Sequence, residues 1–99
     1  MVRWEPRQLD RIPPLCQKYG VRRLAIFGSA LRDDFGPDSD LDLLVEFEAG
    51  ARTGLRMFEL EAELSDLLGR KVDLNTIGFL GPEFRERIRR EARDLHVAS

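Results

Sequence analysis

Residues 27–47 of this chain read Phe-Gly-Ser-Ala-Leu-Arg-Asp-Asp-Phe-Gly-Pro-Asp-Ser-Asp-Leu-Asp-Leu-Leu-Val-Glu-Phe, and this stretch decides the fold. Gly28 and Ser29 stand where a β-rich run stops, which marks the end of a strand. Ten residues separate Ser29 from Asp40, and Asp40 and Asp42 then flank one leucine at the start of an apolar run typical of a strand buried on both faces. The stretch predicts two strands joined by a loop, with polar groups at the junction.

Alternating helix and strand patterns extend from this stretch in both directions. Besides the strand at residues 41–47, β-rich runs predict strands at residues 21–27 and 71–75. Helical spacing of apolar residues predicts helices at residues 13–19, 57–68 and 82–95, with a short helical turn at 29–32. The order α-β-α-β-α-β-α indicates an α/β (α+β) domain, with a mixed sheet of about three or more strands flanked by helices.

The composition fits one small cytoplasmic domain. We assign residues 1–99 to a single domain, because 99 residues leave little core for a second one. Sixteen basic and eighteen acidic residues give a net charge of −2, so we expect no direct nucleic-acid binding. Cys16 is the only cysteine, which excludes an internal disulfide. No segment is typical of a signal peptide or a transmembrane helix, so we expect no membrane contact.

Asp40, Asp42 and Asp73 are the candidate metal ligands. Asp40 and Asp42 point to the same side of their strand, because side chains alternate along a strand. Asp73 stands in a short apolar strand that we expect to lie beside the first one, and an ionised carboxylate there costs free energy unless it is paired or metal-bound. Three converging carboxylates repel one another without a cation, and Mg²⁺ prefers oxygen ligands. The three aspartates therefore predict a magnesium site.

Gly28, Ser29 and Arg32 are the candidate phosphate-binding residues. Glycine lets the backbone approach a polyphosphate closely, and amides at a helix start can donate to it together with the serine hydroxyl. Arg32 lies about one helical turn beyond Ser29 and could reach the same phosphates with its planar guanidinium group. A nucleoside triphosphate held beside two metal ions would suit attack of a hydroxyl on the α-phosphorus, with pyrophosphate as the leaving group.

The combination of Gly28, Ser29, Asp40, Asp42 and the later Asp73 resembles the nucleotidyltransferase superfamily typified by DNA polymerase β. The closer likeness is to the minimal nucleotidyltransferases (MNT), the antitoxins that accompany HEPN-domain toxins in prokaryotes, and it covers nearly the whole chain. The resemblance implies the small nucleotidyltransferase fold, ATP as substrate, and two Mg²⁺ ions held by the three aspartates. It also implies that Asp73 promotes the attacking hydroxyl.

The same resemblance implies a function and a partner. Proteins of this kind are similar to protein adenylyltransferases that transfer AMP to a tyrosine of the partner HEPN toxin and so silence its RNase activity. Gly28, Ser29 and Arg32 would bind the phosphates, although Asp33 stands where a glycine commonly follows the arginine in this family. Only one helix is predicted after Asp73 to build an acceptor pocket. We therefore expect a hetero-oligomer in which the toxin supplies the hydroxyl.

Alternatives to this interpretation stay open. The chain could be a non-catalytic antitoxin that neutralises its toxin by binding alone, although three costly acidic groups favour an enzyme. Gly28 and Ser29 could form only a strand-ending turn, Asp40 could cap a turn, and Asp73 could be a solvated edge residue.

The basic residues of the final predicted helix and the N-terminal tryptophan each allow two interpretations. The buried stripe predicted for this helix consists of Phe84, Ile88, Ala92 and Leu95. Its basic stripe consists of Arg85, Arg89 and Arg93, which would either meet an acidic partner or RNA, or form a solvated face. Trp4 is either an anchor for a partner or a residue that folds back on the core.

Overall fold

A computed structural model of the chain describes residues 4–28, 40–50, 54–76 and 81–98. The helices in these ranges are α1 (Pro6–Asp10), α2 (Ile12–Tyr19), α3 (Gly54–Leu68) and α4 (Pro82–Glu91). The strands are β1 (Val21–Ile26), β2 (Leu41–Phe47), β3 (Val72–Thr76) and β4 (Arg93–Val97). The helical turn predicted at residues 29–32 lies outside the described residues.

The first helical segment is interrupted at Arg11, between α1 and α2. Pro6 and Pro13 occupy the first turns of the two helices, where a backbone amide would have no partner inside the helix. The sequence predicted a regular helix at residues 13–19 with a kinked approach. The observed helix, Ile12–Tyr19, confirms that prediction.

The four described strands form one mixed sheet in the order β3-β2-β1-β4. β1 pairs with β2 and with β4 in antiparallel fashion, whereas β2 and β3 are parallel. Leu41, Leu43 and Val45 of β2 are buried on one face of the sheet, and Leu44 is buried on the other. The predicted fold class, a mixed sheet flanked by helices with a strand buried on both faces, is confirmed.

The prediction of a final helix through residue 95 is wrong. α4 ends at Glu91, Ala92 has an extended backbone with φ −64° and ψ 144°, and β4 follows. Ala92 packs against the core cluster on one face of the sheet, whereas Leu95 packs against the cluster on the other face. The spacing of these two residues is compatible with a helix. However, the backbone groups of β1 on the side away from β2 need hydrogen-bond partners, and β4 supplies them.

Helices cover both faces of the sheet. The larger core cluster joins one face to α2 and α3, whose buried residues in it are Ile12, Cys16, Tyr19, Leu60, Leu64 and Leu68. On the other face, Ile88 of α4 packs with Ala25, Phe27 and Leu44. α4 is therefore anchored next to the end of β1, on the face that also carries the even-numbered side chains of β2.

The structure also tests what the sequence predicted for Trp4 and for the final helix. Trp4 packs against the larger cluster, so its interpretation as a core residue holds. Phe84 is 47% exposed, which contradicts its place in a buried stripe. Arg93 lies in β4, so the prediction of one helical basic stripe of Arg85, Arg89 and Arg93 is wrong at that residue.

None of the helices in residues 4–28, 54–76 and 81–98 is both long enough and apolar enough to span a membrane.

Candidate functional site

One end of the sheet brings together the end of β1 and the beginnings of β2 and β3. The Phe27 N–H donates to the carbonyl oxygen of Asp42 at 3.1 Å, which holds the end of β1 against β2. The Leu41 N–H donates to the carbonyl oxygen of Lys71 at 2.9 Å, which holds the start of β2 against the start of β3. Because β2 is antiparallel to β1 and parallel to β3, the four predicted site residues that the structure describes, Gly28, Asp40, Asp42 and Asp73, meet at this end.

Asp42 and Asp73 are direct register partners on the parallel strands β2 and β3. Register partners on adjacent strands point to the same face of a sheet, so the two carboxylates lie side by side. Asp42 is half-buried, whereas Asp73 is exposed. The adjacency of the two strands was expected from the sequence, and the register confirms it.

The electrostatic environment raises the pKa of the Asp42 carboxyl above its ordinary value of 3.8. Burial is the largest cause, because removing a carboxylate from water disfavours its charged form. The negative charges of Asp73 and then Asp40 raise the pKa further. A cation bound among the three would relieve this repulsion.

Gly28 brings the end of β1 into contact with the Asp42 side chain. Its φ of 74° lies in the left-handed region that glycine adopts without steric cost. A β-carbon on Gly28 would lie 2.7 Å from Oδ2 of Asp42, so the carboxylate would have to move to admit it. The backbone conformation therefore favours a glycine here, and its part in phosphate binding stays a prediction.

Asp40 lies at the rim of the same end of the sheet and is exposed. Its Oδ2 is 3.8 Å from Nζ of Lys71, the residue before β3. A surface ion pair of this kind is worth only about 0–1 kcal/mol, but it places a positive charge next to the carboxylates. Sequence analysis missed Lys71, because a lysine before a strand is an ordinary surface residue.

The three aspartates offer the ligand atoms that Mg²⁺ prefers, but their side chains are not grouped closely enough to bind it. They offer the oxygen ligands that this ion prefers, and their repulsion is centred on Asp42. Within the described residues, however, no three histidine, cysteine, aspartate or glutamate side chains are grouped so that they could hold a metal ion. Since Asp40 and Asp73 are exposed, their side chains have room to change rotamer when a cation binds.

The remaining predicted phosphate-binding residues, Ser29 and Arg32, lie outside the described residues, and so does Asp33. Their roles stay predictions. Gly28 is the residue of that segment that the structure places next to the carboxylates.

Two residues of α3 also reach the site, and sequence analysis missed both. Oγ of Ser65 and Oε2 of Glu61 accept hydrogen bonds from the amides of Val72 and Leu74, on either side of Asp73. No sequence signal could have found them, because a serine and a glutamate on a helix are typical of a solvated face.

Comparison with known proteins places this chain among nucleotide-transferring enzymes. The family model described as "Nucleotidyltransferase domain" matches residues 12–95. A protein of Methanocaldococcus jannaschii named "Putative protein adenylyltransferase" is 40% identical over 85 residues, which are 86% of this chain and 90% of that protein. The "Protein adenylyltransferase MntA" of Thermococcus cleftensis is 45% identical over 60 residues, which are 61% of this chain and 60% of that protein.

Solved structures share the fold. A structure described as a "putative minimal nucleotidyltransferase" gives a TM-score of 0.75 at 41% identity and covers 88% of both chains. A toxin-antitoxin complex with AMP-PNP gives a TM-score of 0.70 at 19% identity, covering 92% of this chain and 74% of that chain. A tri-AMPylated HEPN toxin of Shewanella oneidensis in complex with MNT antitoxin gives 0.64 at 18% identity, covering 92% and 71%. The last two likenesses, at low identity, show the fold alone.

Proposed function

Because this chain belongs to the family of nucleotidyltransferase domains, we propose that it is a protein adenylyltransferase of the antitoxin type. It transfers AMP from ATP to a hydroxyl of a partner HEPN RNase toxin and so neutralises the toxin. The acceptor is the tyrosine that the family resemblance implies. It enters on the toxin chain, within a hetero-oligomer.

The relatives support the reaction class and the partner. Both relatives described above carry the name protein adenylyltransferase, and the alignment with the first spans 90% of its length. One structural neighbour is a complex of AMPylated HEPN toxin with MNT antitoxin, and another contains AMP-PNP. These are properties of those proteins, and the shared family makes them the best-supported candidates for this chain.

The observation that carries the proposal is the pair Asp42 and Asp73 next to the Gly28 backbone. A glycine backbone can approach phosphate oxygens closely, and neighbouring carboxylates can hold the cations that accompany ATP. The two aspartates differ in access, since Asp42 is half-buried and Asp73 is exposed. A hydroxyl brought by a second chain can therefore reach Asp73 more readily than Asp42.

In the proposed reaction, the acceptor hydroxyl oxygen forms a bond to the α-phosphorus of ATP. The bond from the α-phosphorus to the bridging oxygen breaks, and pyrophosphate leaves. The exposed carboxylate of Asp73 accepts the hydroxyl proton, while Gly28, Ser29 and Arg32 bind and orient the phosphates.

Asp40, Asp42 and Asp73 are the residues that would hold Mg²⁺, two ions by the family resemblance. Bound Mg²⁺ would neutralise charge on the phosphates and make both the acceptor hydroxyl and the leaving group more reactive. The oxygen-only donor set fits this ion, and a bound cation would offset the repulsion that Asp73 and Asp40 exert on Asp42.

The second candidate function is a non-catalytic antitoxin that neutralises by binding alone. One observation favours it, because the described residues contain no three acidic side chains arranged as a ready metal site. The electrostatics oppose it. A binding module has no need to keep Asp42 half-buried beside two further carboxylates, where its charge is disfavoured.

The two candidates differ in an AMP-transfer assay. The chain is incubated with Mg²⁺, ATP labelled at its α-phosphate, and the HEPN protein encoded beside it, and label on the toxin is measured. We expect labelling by the wild-type chain and by Asp66→Asn, a matched control at an exposed position of α3. Asp42→Asn should label the toxin only at background level.

The assay can overturn the proposal in two ways. Equal labelling by Asp42→Asn and the wild type would mean that the site is assigned to the wrong residues. Absence of label with both proteins, together with full loss of the toxin's RNase activity, would establish neutralisation by binding alone.

A further inference from the structure

Asp73 is flanked by two hydrogen bonds that tie β3 to α3. The Val72 N–H donates to Oγ of Ser65 at 3.0 Å, and the Leu74 N–H donates to Oε2 of Glu61 at 2.9 Å. Glu61 and Ser65 lie one turn apart on α3, and both are partly buried. α3 therefore binds the backbone of β3 immediately before and immediately after Asp73.

These bonds replace a strand that the sheet lacks. In the described sheet β3 is an edge strand with β2 as its one neighbour. Alternate residues of a strand direct their N–H groups to opposite sides, so the amides of Val72 and Leu74 point away from β2. At an open edge such amides would face water and leave the strand held on one side only. Ser65 and Glu61 supply the missing acceptors.

The side chain of Ser65 is itself fixed. Its hydroxyl donates to the carbonyl oxygen of Glu61 at 2.8 Å, which leaves a lone pair for the amide of Val72. Leu64, which precedes Ser65, and Val72 belong to the same buried cluster. α3 and β3 therefore cannot slide past each other without opening the core.

The carboxylate of Asp73 depends on this support. It is exposed, and Nδ2 of Asn75 donates at 3.1 Å to the backbone carbonyl oxygen of Asp73, not to the carboxylate. The carboxylate can rotate about its own side-chain bonds, but the backbone of β3 fixes the point from which it extends. Whatever holds that backbone therefore keeps the carboxylate within reach of Asp42.

We propose that Glu61 and Ser65 are positioning residues that keep Asp73 beside Asp42 by fixing the backbone of β3. Neither residue touches the nucleotide or the acceptor, and both act through the two amides. The inference rests on the proposed function, in which Asp73 contributes to the metal site and accepts a proton.

The test uses substitutions that remove or keep the accepting oxygen. Glu61→Met removes it at similar side-chain length, and Glu61→Gln keeps an amide oxygen that can accept from Leu74. Glu59→Met is the matched control, at an exposed position of α3. Ser65→Ala and Ser65→Thr form a second, smaller pair that keeps the test open should Glu61→Met fail to fold.

Two measurements need no activity. Hydrogen exchange of the Val72 and Leu74 amides, followed by NMR without nucleotide or metal, reports on the hydrogen bonds. Binding of Mn²⁺ alone, followed by its paramagnetic effect, reports on the acidic site. We expect Glu61→Met to speed exchange at Leu74 and to weaken Mn²⁺ binding about tenfold, as loss of a residue that orients metal ligands does. Glu61→Gln and Glu59→Met should resemble the wild type, as should Ser65→Thr.

Mn²⁺ binding by Glu61→Met and Ser65→Ala that equals the wild type would overturn the proposal. Equal weakening by Glu61→Met and Glu59→Met would also overturn it, because the effect would then be general to the helix. Failure of the proposed function shows separately. An Asp73→Asn variant that binds Mn²⁺ and transfers AMP like the wild type would remove the role of Asp73 itself, whatever the Glu61 variants do.

Discussion

Gly28 and Asp42 are in close contact, since a β-carbon placed on Gly28 would lie 2.7 Å from Oδ2 of Asp42. The backbone of Gly28 also has a φ of 74°. Alanine at this position therefore adds backbone strain and displaces a carboxylate at the same time. Strain of this kind is common to left-handed glycines, whereas displacement of Asp42 is specific to this one.

We expect Gly28→Ala to cost about 1–2 kcal/mol of stability through its left-handed backbone and to lower AMP transfer about 100-fold through the misplaced carboxylate. Gly69→Ala is the matched control, because Gly69 has a φ of 67° but no atom within 4 Å of a β-carbon. It should lose similar stability in urea unfolding and keep its transfer activity. A loss of transfer as large in Gly69→Ala would contradict the assignment.

Asp42→Asn should separate stability from function. Burial, Asp73 and Asp40 raise the pKa of Asp42, so its ionised form is disfavoured in the folded protein. An uncharged asparagine of similar shape removes that repulsion. Without divalent metal at neutral pH, we expect Asp42→Asn to unfold at an equal or higher urea concentration than the wild type, although it transfers no AMP. A clearly lower midpoint would show that the Asp42 carboxylate stabilises the fold.

The buried thiol of Cys16 should make stability depend on alkaline pH. Burial raises its pKa from 9.0 to about 11. The unfolded chain then ionises while the folded chain stays protonated, so the free energy of unfolding falls as the pH rises from 9 to 11. Between pH 8 and pH 10 the expected loss is about 1 kcal/mol.

Cys16→Ala is the reference for this measurement. It should be less stable overall because of the cavity it leaves, but its stability should fall less steeply over the same pH range. Other titrating groups contribute equally to both proteins, so the difference between the two slopes isolates the thiol. Parallel curves would contradict the prediction.

Ile88 should carry the attachment of α4 to the sheet. It is 3% exposed and packs on Ala25, Phe27 and Leu44, whereas Phe84 on the same helix is 47% exposed. We expect Ile88→Ala to cost about 2–4 kcal/mol in urea unfolding. Phe84→Ala, the control, should cost less than about 1 kcal/mol. Equal losses of stability in the two variants would mean that Phe84 is buried, as the sequence predicted.

The central part of the fold could be predicted because each element carries its own signal. Apolar runs of strand length mark β1 and β2, and the periodic leucines of α3 mark the helix between β2 and β3. β4 could not be predicted, because the spacing of Ile88, Ala92 and Leu95 is compatible with one helix face. The change to a strand depends on the open edge of β1, which is a property of the assembled sheet.

The same distinction applies to the candidate site. The positions of Asp42 and Asp73 side by side could be expected, because each lies in an apolar strand and the two strands were expected to be neighbours. The contact between Gly28 and Asp42 could not be predicted from the sequence, because it depends on a distance between two strands. The hydrogen bond that Glu61 accepts from β3 could not be predicted either, because a helix pattern does not show which backbone amide a side chain will reach.

The amides of Val72 and Leu74 are already occupied by α3. A strand from another protein needs free amides to extend a sheet, and exposed edges of that kind are where aggregation and strand addition begin. Strand addition at Val72 and Leu74 would have to displace these two hydrogen bonds. A partner polypeptide that approaches Asp73 by its side chains leaves both bonds intact, and a hydroxyl can be delivered in that way.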